Sequence, residues 1–138
     1  MRAMYSSMDA GQLAGISKMA LSAMISDAKD VEMALEWARR SDPSFVGQAV
    51  YDLMTTDLRS QMDNIRVPVL MIGAAKAFAG DQQRLTAVRD AYERQVAGVK
   101  DHKLEMDPNA LHFIMLDDLE FLLGAIDRFL TDGPRDAR

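Results

Sequence analysis

Apolar residues recur every three or four positions through the first part of the chain, and near residue 65 that rhythm gives way to short unbroken apolar runs. From Asp9, the residues Leu13, Ile16, Ala20 and Met24 share a line, with Met19 and Leu21 beside it. That is the spacing of a helical face. Asp9 stands where an N-cap carboxylate is expected. Gly11 and Gly15 each weaken this helix by up to about 1 kcal/mol relative to alanine. A second helix is predicted over Lys29 to Arg40, with Val31, Leu35 and Ala38 on one face and Met33 and Trp37 next to it. Arg39 and Arg40 fall in its last turn, where positive charge suits the helix dipole. Ser41-Asp42-Pro43 breaks the chain and restarts it, with Ser41 or Asp42 as N-cap and Pro43 in the first turn. The third helix runs to about Thr55. It directs Val46, Val50, Leu53 and Met54 inward and is flanked by Phe45, Ala49 and Tyr51. Thr56 or Asp57 is placed to cap a short fourth helix that passes Met62 and ends at Asn64.

From Ile65 the pattern is that of an α/β protein. Ile65-Arg66-Val67-Pro68-Val69-Leu70-Met71-Ile72-Gly73 is apolar and rich in β-branched residues, and it closes on glycine. Such a run suits a strand covered on both faces of a parallel sheet. Pro68 belongs near its beginning, where a missing N–H is tolerated. Asp81 opens a helix to about Ala97, lined by Leu85, Val88, Tyr92 and Val96, and Gly98 is expected to end it. Residues 101–106 alternate and predict a short strand. Asp107-Pro108-Asn109 is turn chemistry. His112 follows in a loop, and Asp117 or Asp118 caps a last helix with Leu119, Leu122, Leu123, Ile126, Phe129 and Leu130 on its apolar side. The polar tail from Thr131, with Gly133-Pro134, is expected to be loose. The chain therefore divides into a helical region, 1–64, and a strand–helix–strand–helix region, 65–138. Two parallel strands make a poor independent sheet, since a strand such as Val67–Ile72 wants neighbours on both sides.

Composition narrows the partners. The net charge of −5, with no Lys/Arg cluster interleaved with aromatics, argues against nucleic acid. With no cysteine, a disulfide framework and a thiolate zinc site are excluded. His102 and His112, ten residues apart in different contexts, lack the ligand set of a metal site, and no cofactor is expected. No apolar run reaches the ~18 residues of a membrane helix. No secretory h-region follows Met1, so a cytoplasmic location is the expectation. Eleven methionines, eight of them by Met62, suit either ordinary core filling or a pliable apolar surface.

The ordered set Asp57-Leu58-Arg59, then Ile65 through Gly73, then Leu111-His112-Phe113-Ile114-Met115-Leu116-Asp117-Asp118, then Phe121 to Leu130 resembles the C-terminal part of the α/β-hydrolase superfamily. The ending Ile126-Asp127-Arg128-Phe129-Leu130 is similar to that family's I-x-x-F-L close. Residues 9–56 look like its variable cap helices. The resemblance implies a partial α/β-hydrolase fold, about four cap helices followed by strand–helix–strand–helix of a parallel sheet. It also implies a small, fairly apolar substrate such as an ester or lactone, roofed by the cap helices. By the same resemblance His112 is the general base, since imidazole changes charge near neutrality and can take a proton from a nucleophile and return it to a leaving group. His102, between Asp101 and Lys103, is expected to be an exposed strand-edge residue.

The chain departs from that pattern at two points. The nucleophile motif G-x-S-x-G, which should precede the histidine, does not occur. The nearest text, Gly15-Ile16-Ser17-Lys18-Met19, lacks the final glycine and has helix rather than strand before it, so Ser17 is read as a helix-surface serine. The position three residues after Gly73, where the family often places its acid, is Lys76. Asp81 is the only nearby carboxylate and doubles as a helix N-cap. The isolated chain is therefore expected to be inactive. A rival reading is a non-catalytic interaction module that binds an N-terminal half or a second copy through its Met-rich helices and exposed strand edges.

Overall fold

The computed structural model describes residues 7–131 and is mixed α/β. It forms two compact units that divide at Asp57 and Leu58 rather than at residue 64. The boundary moves because the 3₁₀ segment Arg59–Asn64 packs on the helix that crosses between the two strands of the second unit. The tail beyond Thr131 lies outside the described residues.

The first unit is helical. α1 (Ala10–Ser22) starts with a reciprocal cap: Gln12 N donates to Asp9 Oδ1 at 2.8 Å, and Asp9 N donates to Gln12 Oε1 at 2.9 Å. α2 (Ala28–Arg39) is capped by Asp27, which accepts from Lys29 N at 2.7 Å. Leu13 and Ala14 of α1 are buried with Val31, Ala34 and Leu35 of α2, and Ile25 closes the turn between them. α3 (Pro43–Thr55) is capped by Asp42, with Pro43 in its first turn as the sequence predicts. Its expected inward face is only partly covered. Val46 and Val50 are half-buried, but Leu53 and Met54 are exposed, and so is Phe45 at 76%. α1 and α2 bury their apolar faces on each other, which leaves no described element of this unit to cover the far side of α3. Ser17 sits inside α1 with no strand before it among the described residues, which removes it as an elbow nucleophile.

The second unit begins with Arg59–Asn64. This segment is a 3₁₀ helix with no side-chain cap, in place of the expected fourth α-helix capped by Thr56 or Asp57. At six residues it is longer than the usual three or four of a 3₁₀ run. β1 is Val69–Ala74 and starts four residues later than Ile65. The ladder opens directly after Pro68, where Val69 N donates to Asp101 O at 3.0 Å; by strand alternation Pro68 N faces away from β2, where its missing N–H costs no ladder bond. α4 (Gln82–Val96) is capped by Asp81 through Arg84 N and carries the chain to β2 (His102–Asp107). The strands pair in parallel, from Val69 opposite His102 to Ala74 opposite Asp107. α5 (Ile114–Asp117) is a single turn, and α6 (Leu119–Thr131) closes the unit.

Two side-chain contacts fix the layers. His102 Nε2 lies 3.2 Å from Glu93 Oε2 of α4, and Glu105 Oε2 accepts from Arg128 Nη2 of α6 at 2.7 Å. Residues three apart in a strand point to opposite faces. α4 and α6 therefore cover opposite faces of the sheet. Arg128, and then Lys103 at 2.9 Å, hold the Glu105 carboxyl below its ordinary range. Buried Leu104, Val99, Ala110, Ile114 and Ala125 fill the space between layers.

Gly73 and Gly98 are required by close approach. A Cβ on Gly98 would lie 2.8 Å from Cβ of Met62, and Gly98 does not have the left-handed conformation of a terminating glycine, which among the described residues only Gly80 adopts, at φ 86°. A Cβ on Gly73 would lie 2.7 Å from Sδ of Met106 and 2.9 Å from the ring of Tyr92. Gly73→Ala should therefore cost about 1–3 kcal/mol through overpacking. Gly15→Ala, with nothing within 4 Å of the new atom, should gain up to about 1 kcal/mol. Urea denaturation of the two variants beside the parent chain checks both signs.

Candidate active site

In open α/β sheets the carboxyl ends of the strands are where ligands bind, and His112 lies at that end. The ladder continues a little past the strands: Ala75 N donates to Asp107 O at 2.8 Å, and Lys76 N to Ala110 O at 3.1 Å. These two bonds draw residues 107–110 alongside the end of β1. The loop then turns back into α5 and α6.

Carboxylates hold that loop residue by residue. Asp107 is 0% exposed, and its Oδ1 accepts from Asn109 N at 2.8 Å and Ala110 N at 3.2 Å. Leu111 N donates to Asp117 Oδ2 at 2.8 Å. Three successive amides before His112 thus point at carboxylate oxygens, which are strong acceptors. Asp118 Oδ1 caps α6 by accepting from Phe121 N at 3.0 Å, and Asn109 Nδ2 lies 3.5 Å from its other oxygen. The expectation that Asp117 or Asp118 caps the last helix resolves into two roles: Asp118 caps, and Asp117 braces the loop.

His112 itself is exposed. Its ring packs edge-on against Phe113, with centroids 5.2 Å apart and planes at 83°. Its imidazole makes no hydrogen bond or ion pair to the described residues. The arrangement presents a free imidazole on a braced support. Among the described residues no hydroxyl or carboxylate is hydrogen-bonded to the imidazole. Asp81 gives one oxygen to Arg84 N and the other to the Arg84 guanidinium at 3.2 Å, so it serves as a helix cap. Lys76 occupies the position where the resemblance places the acid and is exposed.

His102 is not the exposed strand-edge residue expected from sequence. It is half-buried at the opposite, amino end of β2, with Nδ1 2.7 Å from Val99 O and Nε2 on Glu93. The Val99 carbonyl raises its pKa above the ordinary 6.5; burial opposes this, and Glu93 and Asp101 add to it. It ties β2 to α4 and takes no part in the histidine loop.

Sequence reasoning missed Asp107, which it took for turn chemistry alone. Asp107 is instead sealed, and its Oδ2 has no hydrogen-bond partner among the described residues. The available signal was the Asp-Pro-Asn text itself, since aspartate accepts from the amide two residues on in an Asx-turn.

A cavity of about 260 Å³ opens between α4 and the strand ends, lined by Ala75, Leu85, Thr86, Arg89, Met106 and Pro108. Among the described residues no group of three or more His, Asp or Glu side chains could hold a metal ion. No described helix is long and apolar enough to cross a membrane. No protein-family model matches the sequence, and no curated protein or solved structure matches the chain.

Removing the loop brace should be costly. Asp107→Ala strips the acceptor from two amides and should lower stability by about 1–3 kcal/mol. Asp107→Asn retains an acceptor oxygen and should lose less than half of that. Urea melts followed by circular dichroism order the two variants.

Proposed function

We propose that the chain supplies the cap-type helices and the histidine-bearing C-terminal part of an α/β-hydrolase-like enzyme. His112 acts as general base and then general acid on a small apolar ester, lactone or related substrate. The observation that carries this reading is an exposed, unbonded imidazole beyond the carboxyl ends of two parallel strands, on a loop whose three preceding amides are held by Asp107 and Asp117. A general base must come within hydrogen-bond reach of the proton it takes, about 2.6–3.2 Å. No serine of the required motif stands in the 138 residues, so the nucleophile and the acid belong to polypeptide outside them. The chain alone has no nucleophile for His112 to activate.

A second reading, a non-catalytic interaction module, is favoured by the apolar side chains left exposed on α3 and α6. On that reading His112 is a loop residue with no chemistry.

The purified chain should hydrolyse p-nitrophenyl acetate no faster than its His112→Ala variant. Turnover that His112→Ala abolishes would contradict the requirement for an outside nucleophile. The positive test reads the DNA upstream of the Met1 codon. A strand-rich segment with G-x-S-x-G, or with aspartate in place of that serine, supports the enzymatic reading. Joined to it, the chain should gain esterase activity and lose on the order of 10²–10⁴-fold in kcat with His112→Ala. Flanking frames without such a segment would favour the interaction module.

A further inference from the structure

β1 and β2 are the same length but differ in chemistry. β2 reads His-Lys-Leu-Glu-Met-Asp and carries a charged residue at each position on its α6 face. β1 reads Val-Leu-Met-Ile-Gly-Ala and carries no charge on either face. Charged side chains are how natural sheets blunt an outer edge, whereas a continuous apolar run suits a strand with neighbours on both sides. β2 is built as an edge strand and β1 as an interior one.

Among the described residues, nevertheless, no strand pairs with the outer side of β1. Val69 N and Ala75 N both donate to β2 and its flank, so alternate residues Val69, Met71 and Gly73 direct their backbone groups to β2. Leu70, Ile72 and Ala74 direct theirs the other way, and none has a backbone partner among the described residues.

α6 shows the same deficit. It lies over β1 and reaches β2 through the Arg128–Glu105 pair. Ala125 is buried and Phe121, Leu122 and Phe129 are half-buried, while Leu119, Leu123, Ile126 and Leu130 form an exposed stripe, with Leu130 at 71%. A helix with its side chains is about 10 Å across, and neighbouring strands are about 4.8 Å apart. Two strands span about one helix width, but α6 sits over β1, the outer of the two, so among the described residues no strand underlies its far side.

We propose that the open edge of β1 accepts a third strand from another polypeptide segment: extended, uncharged, apolar, and parallel to β1. It pairs with the backbone of Leu70, Ile72 and Ala74 and extends the sheet beneath the Leu119–Leu130 stripe. Its direction follows from the helices on both faces, a setting in which sheets are parallel. The absence of charge follows from the uncharged edge it joins. This claim stands on the sheet alone and holds whether or not His112 serves a nucleophile, so it and the enzymatic reading fail separately.

The test uses the full 138-residue chain, labelled for NMR, and a synthetic peptide Lys-Lys-Val-Ile-Val-Ile-Val-Lys-Lys with a nitroxide at its N-terminus. The same peptide with a central proline is the control. The alternating peptide should slow amide exchange at Leu70, Ile72 and Ala74 at least ten-fold and broaden signals near Val69 more than near Ala74. The proline peptide should do neither. The proposal is overturned if the alternating peptide leaves those amides unchanged, or if broadening centres on Ala74. It is overturned as well if the amides are already protected in a dimer of the chain, which would make a second copy the occupant. Leu123→Glu, on the exposed stripe, should leave the melting of the free chain unchanged and weaken the peptide's protection several-fold. Protection equal to that of the parent chain would contradict the role given to α6.

Discussion

The buried carboxylate of Asp107 sets the geometry of the histidine loop. It stands at the last position of β2, opposite Ala74, where the sheet ends and the chain must turn. A buried carboxylate is costly unless hydrogen-bonded, and Asp107 meets that requirement on one side by taking the amides of Asn109 and Ala110. Those bonds fold the loop back so that Ala110 O can receive Lys76 N, and Asp117 then takes the amide of Leu111. His112 is the first residue after this braced run. The brace fixes where the imidazole stands and leaves its nitrogens unengaged.

The same unit shows a fold whose local rules are met and whose sheet has two strands among the described residues. Caps, crossover helix, register and layer order agree with one another. The exceptions include the outer side of β1, where backbone groups have no partner among the described residues, and the outer stripe of α6, where apolar side chains are exposed. In the first unit Phe45, Leu53 and Met54 of α3 are also exposed, but they are spread over about half the helix circumference and form no stripe. Isolated exposed apolar residues are ordinary, but contiguous stripes mark interaction surfaces. A further strand would satisfy the edge of β1 and a nucleophile would engage the histidine, and the two proposals rest on separate observations.

Much of this was legible in the residues. Asp9, Asp42 and Asp81 announce their helices because capping is local chemistry, and each caps as expected. The strands and their parallel pairing followed from an apolar run, a helix and a second short run. Three features were not legible, for physical reasons. β1 is shorter than its apolar run because pairing starts only where β2 begins, with Val69 N on Asp101 O, and the run itself says nothing of where its partner starts. His102 acquired partners from Val99 and Glu93, which only the crossover geometry brings together. Asp107 became buried through loop closure, and alternation along β2 carries no trace of that. The site remained half-legible: the position of His112 could be read, but the carboxylates that hold its loop looked like helix caps and turn formers.

The most direct measurement of the account is native-state hydrogen exchange at Asn109, Ala110 and Leu111. If carboxylates hold the loop, these amides should exchange on the order of 100-fold or more slowly than in an unstructured chain despite lying outside any helix or strand. The His112 amide next to them should exchange faster than all three. Exchange of all four at unstructured rates would contradict the account, since His112 would then ride on an unbraced loop with no fixed place above the sheet.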